Sequence, residues 1–243
     1  MERKQKKVRF ANLFTQQKES TASIAEKIAK ILGEDTMSKA QENTLRTQRL
    51  MTYYRCAMME VETKFRVLDE QFSMQQERNP IEIIKTRLKS AESIREKLTR
   101  RGHEVNLESI ESELYDVAGV RVICSFIDDI YLLSDALLRQ DDVRLIQMKD
   151  YIKSPKENGY RSLHLIIEIP IFLQDEKKYM KVEVQLRTIA MEFWANLEHK
   201  LRYKKNLSEE TIRLTAEDLN HCAEMSAMLD QKMQQIRNQI DSE

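Results

Sequence analysis

The chain has few of the residues that interrupt or cross-link a polypeptide. Its 243 residues include only four glycines, three prolines and three cysteines. The cysteines, Cys56, Cys124 and Cys222, lie far apart and are odd in number, and none has the C-x-x-C spacing of a metal site. We therefore expect reduced thiols, no disulfide framework and long uninterrupted helices.

The chain also lacks a net charge and a long apolar run. Its 40 Lys and Arg residues balance 40 Asp and Glu residues, so no global field attracts nucleic acid. No segment approaches the roughly 20 apolar residues of a membrane span, and no signal-peptide core follows the basic start MERKQKKVRF. With 41% hydrophobic residues, the sequence predicts a globular cytoplasmic protein that binds anions only where cations cluster locally.

Hydrophobic periodicity predicts helices at both ends of the chain and strands between them. The predicted terminal helices lie near residues 20–32, 45–72, 188–203 and 208–243. The predicted strands cover residues 81–89, 115–126, 143–148, 162–170 and 179–187. Ser90 is expected to cap a helix to about Arg101, and Asp128 to cap another over residues 128–140. The last two strands alternate, which predicts one apolar and one polar sheet face.

The first polar cluster combines a predicted strand end with one stripe of the following helix. Its members are Arg87, Lys89, Ser93, Lys97 and Arg100. Four cations and a hydroxyl on one side, with the amides of a helix N-terminus, suit a polyphosphate. The alternative is an ordinary solvated helix face.

Two further clusters lie on the second strand and on the loop that follows the third. Asp116 and Arg121 flank Gly119 in an apolar segment, so they either pair with each other or face a cleft. In KDYIKSPKENGYRSLH (149–164), Asn-Gly bends the backbone and exposes Tyr160 for stacking on a base among Lys153, Lys156 and Arg161. The alternative is a common turn with solvated lysines.

The last cluster lies on the polar face of the final strand. Glu183, Gln185 and Arg187 come close to His164 if the two alternating strands pair, and such a set can bind a metal and position a hydroxyl. Asp116 and Glu183 together would supply two carboxylates for Mg²⁺. Cross-strand ion pairs are the structural alternative. Trp194, on the next helix, is expected in the core.

Five segments together resemble one known family. RLKSAESIREKL, YDVAGVRVI, KDYIKSPKENGYRSLH, VEVQLRT and MEFWANLEHKLRYK occur in the order and spacing of the synthetase domain of the RelA/SpoT family. They span about residues 81–205, and five motifs in register are far more specific than one. The whole chain resembles a stand-alone small alarmone synthetase.

The resemblance implies an α+β fold and a reaction. The fold would be a mixed five-stranded sheet with helices on its apolar face, similar to nucleotidyltransferases. Residues 1–79 and 206–243 would form helical flanks of a synthetase core at 80–205, in one compact unit. The reaction moves the β,γ-pyrophosphate of ATP to the 3′-hydroxyl of GDP or GTP, releases AMP and makes (p)ppGpp for the stringent response.

The resemblance also implies roles for single residues. ATP would contact Arg87 and Arg121 at its adenine, and Lys89, Ser93, Lys97 and Arg100 at its phosphates. Asp116 and Glu183 would be catalytic and hold Mg²⁺, with Glu183 as the base for the 3′-hydroxyl. GDP or GTP would stack on Tyr160 and contact Lys149, Lys156, Asn158, Arg161, His164, Gln185 and Glu198. Glu192 stands where related sequences often carry Asp or Asn.

Several expectations and rivals complete the hypothesis. The chain has four histidines but no His-Asp dipeptide, so we expect synthesis without hydrolysis. By resemblance we expect a homotetramer, with a regulatory nucleotide or RNA as a further partner and no membrane. The rivals are a toxic relative that pyrophosphorylates tRNA 3′ ends, a non-catalytic nucleotide- or RNA-binding module, and a helical scaffold.

Overall fold

The chain forms one sheet with helices before, between and after its strands. The computed structural model describes residues 20–31, 37–74, 78–202 and 208–242. Seven helices lie in these ranges: α1 (Thr21–Ile31), α2 (Met37–Met74), α3 (Ala91–Arg100), α4 (Leu107–Glu113), α5 (Ile127–Leu138), α6 (Ile189–Arg202) and α7 (Glu209–Ile240). The four predicted terminal helices are confirmed, although residues 32, 203 and 243 of those spans, and residues 1–19 of the predicted N-terminal flank, lie outside the described residues.

Five strands form the sheet, as predicted. They are β1 (Ile81–Leu88), β2 (Ala118–Cys124), β3 (Arg144–Asp150), β4 (Leu163–Phe172) and β5 (Lys177–Thr188). Their order is β1-β2-β5-β4-β3, and β2 with β5 is the parallel pair in an otherwise antiparallel sheet. The mixed five-stranded α+β fold is therefore confirmed. β5 lies at its centre, between β2 and β4.

Alternation along β5 separates the core from the polar face. Met180, Val182, Val184 and Leu186 are buried, whereas the residues between them are only partly buried. The long helix α2 covers the apolar side of the sheet. It can extend over 38 residues because no glycine or proline interrupts it. It contributes the buried side chains Tyr54, Ala57, Val61 and Phe65 to the same core cluster. The opposite face therefore remains available for polar side chains.

The predicted cap of α5 is wrong. The helix begins at Ile127, after Phe126, so Asp128 lies in its first turn. Asp129 makes the capping contact instead, because the third helical position lets its carboxylate accept a hydrogen bond from the Phe126 N–H at 3.1 Å. The predicted Ser90 cap of α3 is confirmed, since its Oγ accepts a hydrogen bond from the Ser93 N–H at 3.3 Å.

The predicted second strand is too long, and the helix before it was missed. β2 begins only at Ala118, which leaves Asp116 in the preceding loop. α4 is a short helix that begins after Asn106, whose Oδ1 accepts a hydrogen bond from the Ser109 N–H at 2.7 Å. Its seven residues give too little periodicity for a prediction.

The last helix packs through small residues and turns its large apolar ones outward. Ala223, Ala227 and Asp230 are buried. Leu219 is partly buried, and its carbonyl accepts a hydrogen bond from Trp194 Nε1 at 3.1 Å. The exposed apolar face of α7 consists of Met225, Met228, Leu229, Met233, Ile236 and Ile240. Within the described ranges, none of the helices has the length and apolar character needed to cross a bilayer.

Candidate active site

The loop between β3 and β4, residues 151–162, presents Tyr160 at the polar face. Asp150 starts the turn, because its Oδ1 accepts hydrogen bonds from the N–H groups of Ile152 and Lys153. A tighter turn follows, in which Gly159 N–H donates to the Lys156 carbonyl at 2.8 Å with a φ of 79°. That left-handed conformation favours glycine. The bend that Asn-Gly predicted is therefore present.

Aromatic rings and cations surround Tyr160. The rings of Tyr151 and His164 meet it edge-on, with centroid distances of 6.0 and 5.8 Å. Lys156 Nζ lies 4.8 Å from the centroid of Tyr160 and 4.7 Å from that of Tyr151. The guanidinium of Arg187 lies 5.0 Å from the Tyr160 centroid and also donates a hydrogen bond to its hydroxyl. This arrangement suits a planar ligand that carries negative charge.

Glu183 lies at the centre of the polar face and is held from both sides. The pairing of β4 with β5 brings His164 Nδ1 to 3.1 Å from Glu183 Oε1, as predicted. Gln185 Nε2 donates to Glu183 Oε2 at 2.8 Å. Burial alone raises the pKa of this carboxyl, but the hydrogen bonds from His164 and Gln185 help to outweigh it, so the pKa lies below its ordinary value. Glu183 is therefore ionised at neutral pH.

His164 connects this carboxylate with the loop. Burial lowers the pKa of its imidazole, and the hydrogen bond to Glu183 only partly offsets that effect, so the ring is neutral at pH 7. An ionised carboxylate can only accept, so the ring proton belongs on Nδ1, and Nε2 accepts from the Tyr160 hydroxyl at 2.8 Å. A continuous chain of hydrogen bonds thus runs from Tyr160 to Glu183.

Two arginines on neighbouring strands share the acceptors beside Glu183. Arg121 donates to Gln185 Oε1 through Nε and Nη2, at 3.1 and 2.9 Å. Arg187 donates to the same oxygen at 3.2 Å. Both guanidiniums also contact the buried carboxylate of Glu192, the first of them at 3.3 Å and the second at 3.0 Å. Sequence reasoning left open an Asp116–Arg121 pair, which the structure does not contain.

Asp116 instead pairs with two of the predicted phosphate-binding lysines. Lys89 Nζ and Lys97 Nζ each lie 2.6 Å from Asp116 Oδ2. Burial by itself raises the pKa of this carboxyl, but the two ammonium groups outweigh it, so the pKa is lowered. The three charges meet where β1 leads into α3, because Lys89 directly follows the strand and Lys97 lies on the helix.

The remaining members of the first cluster surround this group. Arg87 and Arg100 are exposed, and Ser93 Oγ contacts Ser90 Oγ at 3.1 Å. Arg87 lies opposite Gly119 in the β1–β2 pair, and Lys85 lies opposite Arg121. Alternation therefore puts Arg87 and Arg121 on the same sheet face, one diagonal step apart.

The other predicted binding residues occupy three separate places. Lys149 is exposed on β3, opposite His164. Asn158 bridges the loop to α6, because its Nδ2 lies 3.4 Å from Glu198 Oε1. Arg161 lines a small cavity against α6 and α7, together with Trp194 and Asp230. Trp194 is only 6% exposed, which confirms its predicted place in the core.

The C-terminal helix α7 supports the 151–162 loop, and this support was not predicted from the sequence. Gly159 lies so close to α7 that an added Cβ would come within 2.4 Å of Ala223 Cβ. Asp230, about two helical turns further along α7, accepts a hydrogen bond from Thr188 Oγ1 at 2.6 Å. The signal was the row of small residues Ala216, Ala223 and Ala227 in an otherwise large-residue helix.

A divalent cation fits beside Asp116. Asp116 Oδ1 is buried and has no hydrogen-bond partner among the described residues, whereas Oδ2 carries both lysines. A buried carboxylate oxygen without a partner is costly unless another group completes it. Asp116 lies close enough to Glu183 for its charge to raise the pKa of the Glu183 carboxyl, and Mg²⁺ commonly takes one or two protein carboxylates together with phosphate oxygens.

The fold and these clusters agree with one protein family. Residues 86–208 match a family model described as a region found in RelA/SpoT proteins, and the chain belongs to this family. The chain is similar to the GTP pyrophosphokinase YwaC of Bacillus subtilis, with 45% identity over 77% of this chain and 89% of that protein.

Solved structures of the family share the fold. Small alarmone synthetase 1 from Bacillus subtilis, bound to its product pppGpp, matches with a TM-score of 0.72 and 34% identity, covering 80% of this chain and 98% of that one. The same protein bound to AMPCPP matches with a TM-score of 0.68 and 32% identity, over 82% and 99%. The predicted resemblance is therefore confirmed.

Proposed function

We propose that this chain transfers the β,γ-pyrophosphate of ATP to the 3′-hydroxyl of GDP or GTP. The oxygen of the 3′-hydroxyl would form a bond to the β-phosphorus, the bond from that phosphorus to the AMP oxygen would break, and AMP would leave. The similarity to a GTP pyrophosphokinase over most of both chains supports this reaction. The observation that carries it is the ionised, partly buried Glu183 carboxylate between a phosphate-type cluster and a stacking tyrosine.

The acceptor nucleotide would lie along the 151–162 loop. Its guanine would stack on Tyr160, a partly buried ring that lies near the cations of Lys156 and Arg187. Lys149, Lys156 and Arg161 would serve its phosphates or hold the loop. Asn158, His164, Gln185 and Glu198 would complete the pocket. Glu183 would accept the proton of the 3′-hydroxyl, because it is ionised and fixed by two hydrogen bonds.

The donor nucleotide would lie along β1, β2 and α3. Adenine would stack between Arg87 and Arg121, which share one face of neighbouring strands. Lys89, Ser93, Lys97 and Arg100 would bind the phosphates. Attack of one nucleotide on another brings two polyanions together, so cations must offset their repulsion. The similarity to a structure that contains AMPCPP supports an ATP-type ligand.

Mg²⁺ is part of this proposal, with Asp116 and Glu183 as its protein ligands. Asp116 Oδ1 has the free coordination capacity, and the ion would neutralise phosphate charge when bound. The lysines on Asp116 would turn to the incoming phosphates. Substrates of this kind belong to the cytoplasm, which is the location we propose. We propose synthesis without hydrolysis, as the missing His-Asp dipeptide predicts.

One assay tests the reaction and its main rival. The protein is incubated with Mg²⁺ and ATP labelled at the γ-phosphate, together with GMP, GDP, GTP or tRNA. We expect label in a guanosine product, AMP in equal amount, and no transfer when Mg²⁺ is removed with EDTA. Label found only in tRNA would support the toxic relative instead. Nucleotide binding without any transfer would support the non-catalytic module.

A further inference from the structure

Glu192 is a buried carboxylate that three cations from three strands contact. It lies in the first turn of α6 and is 7% exposed. Lys85 of β1 donates to Oε1 at 2.8 Å, and Arg187 of β5 donates to Oε2 at 3.0 Å. Arg121 of β2 donates to both oxygens, at 3.4 and 3.3 Å. One side chain thus joins β1, β2 and β5 at the polar face.

The two arginines need this counter-ion. Burial lowers the pKa of Arg121, and the charge of Arg187 lowers it further, while Glu192 acts in the opposite direction. Two guanidiniums this close repel each other in a partly dry site. The side-chain oxygen Oε1 of Gln185 is the second acceptor that the two arginines share, but it carries no charge. Glu192 therefore holds the pair together electrostatically.

The same pair extends in opposite directions along the site. Arg187 donates to the Tyr160 hydroxyl, so its position depends on the 151–162 loop. Arg121 lies one diagonal step from Arg87 of the edge strand β1. Lys89 directly follows that strand. Hence a ligand that fixes one arginine restricts the other through the shared carboxylate. The second ligand would then lose less conformational entropy on binding.

We propose that Glu192 is a positioning residue that couples the two nucleotide subsites, so that each nucleotide strengthens the binding of the other. The inference rests on the proposed function, which assigns adenine to Arg121 and guanine to Tyr160. Glu192 itself would touch neither nucleotide, because its two oxygens are already taken by the three cations.

The test measures binding of AMPCPP by calorimetry, without GDP and with saturating GDP. This analogue cannot release AMP, because a methylene group replaces the bridging oxygen between its α- and β-phosphates. We expect GDP to tighten AMPCPP binding about tenfold in the unaltered chain. In Glu192→Gln, GDP should tighten AMPCPP binding less than about twofold. The effect of AMPCPP on GDP binding should fall to the same extent, because coupling between two sites is reciprocal.

Two further variants separate coupling from folding. Lys85→Met removes a cation that contacts the same carboxylate but leaves both arginines bridged, so the coupling should persist. Lys85→Met with Glu192→Gln removes one charge of each sign, which should restore the melting temperature while the coupling stays lost. Glu168→Gln, which breaks an ion pair with Arg144 elsewhere in the sheet, is the matched control for loss of a carboxylate.

The outcomes distinguish this inference from the proposed function. A Glu192→Gln variant that keeps the full coupling would overturn the inference. So would a variant in which only GDP binding weakens while coupling remains, since Glu192 would then contact the acceptor directly. An unaltered chain that makes the guanosine product without coupling would overturn the inference alone. A chain that neither transfers pyrophosphate nor binds AMPCPP would overturn both.

Discussion

At the scale of single residues, the site depends on how hydrogen bonds and neighbouring charges offset the burial of each ionisable group. Glu183 and Asp116 are both partly buried carboxylates whose neighbours keep them ionised, one through His164 and Gln185 and the other through two lysines. The roles that we propose for them differ because their oxygens differ. Both oxygens of Glu183 already accept hydrogen bonds, whereas one oxygen of Asp116 accepts none within the described part of the chain.

Replacing Glu183 by Gln should remove the proposed base while keeping the shape of the side chain. We expect pyrophosphate transfer to fall by about 100-fold to 10,000-fold, the usual contribution of a positioned base. Binding of AMPCPP and GDP should change little. The measurement pairs a steady-state assay with calorimetry of each nucleotide. Transfer at the rate of the unaltered chain would show that Glu183 is not the base.

Replacing His164 by Ala should change the pH dependence of the reaction. A base must be ionised, so the rate falls as the pH falls through the pKa of Glu183, which lies below its ordinary value. Without the hydrogen bond from His164, burial prevails and raises that pKa. We therefore expect the acid limb of the kcat profile to move to higher pH.

A second histidine provides the control for this profile. His103 also lies beside a carboxylate, with 3.5 Å between its Nε2 and Glu113 Oε2, but outside the site. His103→Ala should leave the acid limb where it is. An unshifted limb in His164→Ala would mean that His164 does not set the pKa of the base.

At the scale of elements, the 151–162 loop keeps its shape because a helix supports it from behind. Gly159 combines a positive φ with close contact to α7, and Asn158 ties the loop to α6. The C-terminal helix α7 would therefore belong to the acceptor side that we propose. Local sequence could not show this, because the contact joins residues more than 60 positions apart.

Gly159→Ala should weaken acceptor binding. The new Cβ would meet Ala223 and would need a backbone conformation that side chains rarely adopt, at a cost of about 1 to 3 kcal/mol. We expect the KM for GDP to rise about tenfold, while binding of AMPCPP alone is retained. Steady-state kinetics with each substrate varied would measure the difference.

The chain contains a matched control for backbone strain. Gly102 has a similar φ of 75°, but an added Cβ would meet nothing within 4 Å. Gly102→Ala should therefore cost stability without raising the KM for GDP. Adding Ala223→Gly to Gly159→Ala should recover part of the loss, because the steric conflict is removed but the strain stays. Equal effects of the two glycine substitutions would argue against support from α7.

Sequence alone predicted much at this scale, for identifiable reasons. β4 and β5 were predicted with their faces because alternation is a local signal, and the β4–β5 pairing then put His164 beside Glu183. α4 and the limits of β2 were not predicted, since seven-residue elements give weak signals. The role of Glu192 as a shared counter-ion could not be predicted either, because Lys85, Arg121 and Arg187 converge only in the folded sheet.

The division of the chain into a synthetase core and two helical flanks stays a prediction.

At the scale of the whole molecule, α7 has two faces with different uses. Its small residues contact the site, whereas its large apolar residues point outward. An exposed stripe of six apolar side chains on one helix is typical of an association surface. The homotetramer implied by resemblance therefore has a candidate interface, which we propose on the apolar face of α7.

Leu229→Glu should reduce the mass of the protein in solution. A charge buried in an apolar interface costs several kcal/mol, which is enough to shift the association equilibrium. Light scattering coupled to size-exclusion chromatography would measure the change. Gln231→Glu adds the same charge at an exposed position of α7 outside that apolar stripe and should leave the mass unaltered. A monomeric unaltered chain would contradict the proposal.

The central position of β5 determines when the site can form during synthesis. Asp116 precedes β2, and Glu183 lies on β5, more than 60 residues later, yet the two strands are neighbours in the sheet. Contacts of such sequence separation form slowly, because a long loop must close first. A nascent chain that has emerged only as far as β4 has no Glu183 and no strand to hold β2 beside β4. Nucleotide binding should therefore begin late in translation, after β5 leaves the ribosome.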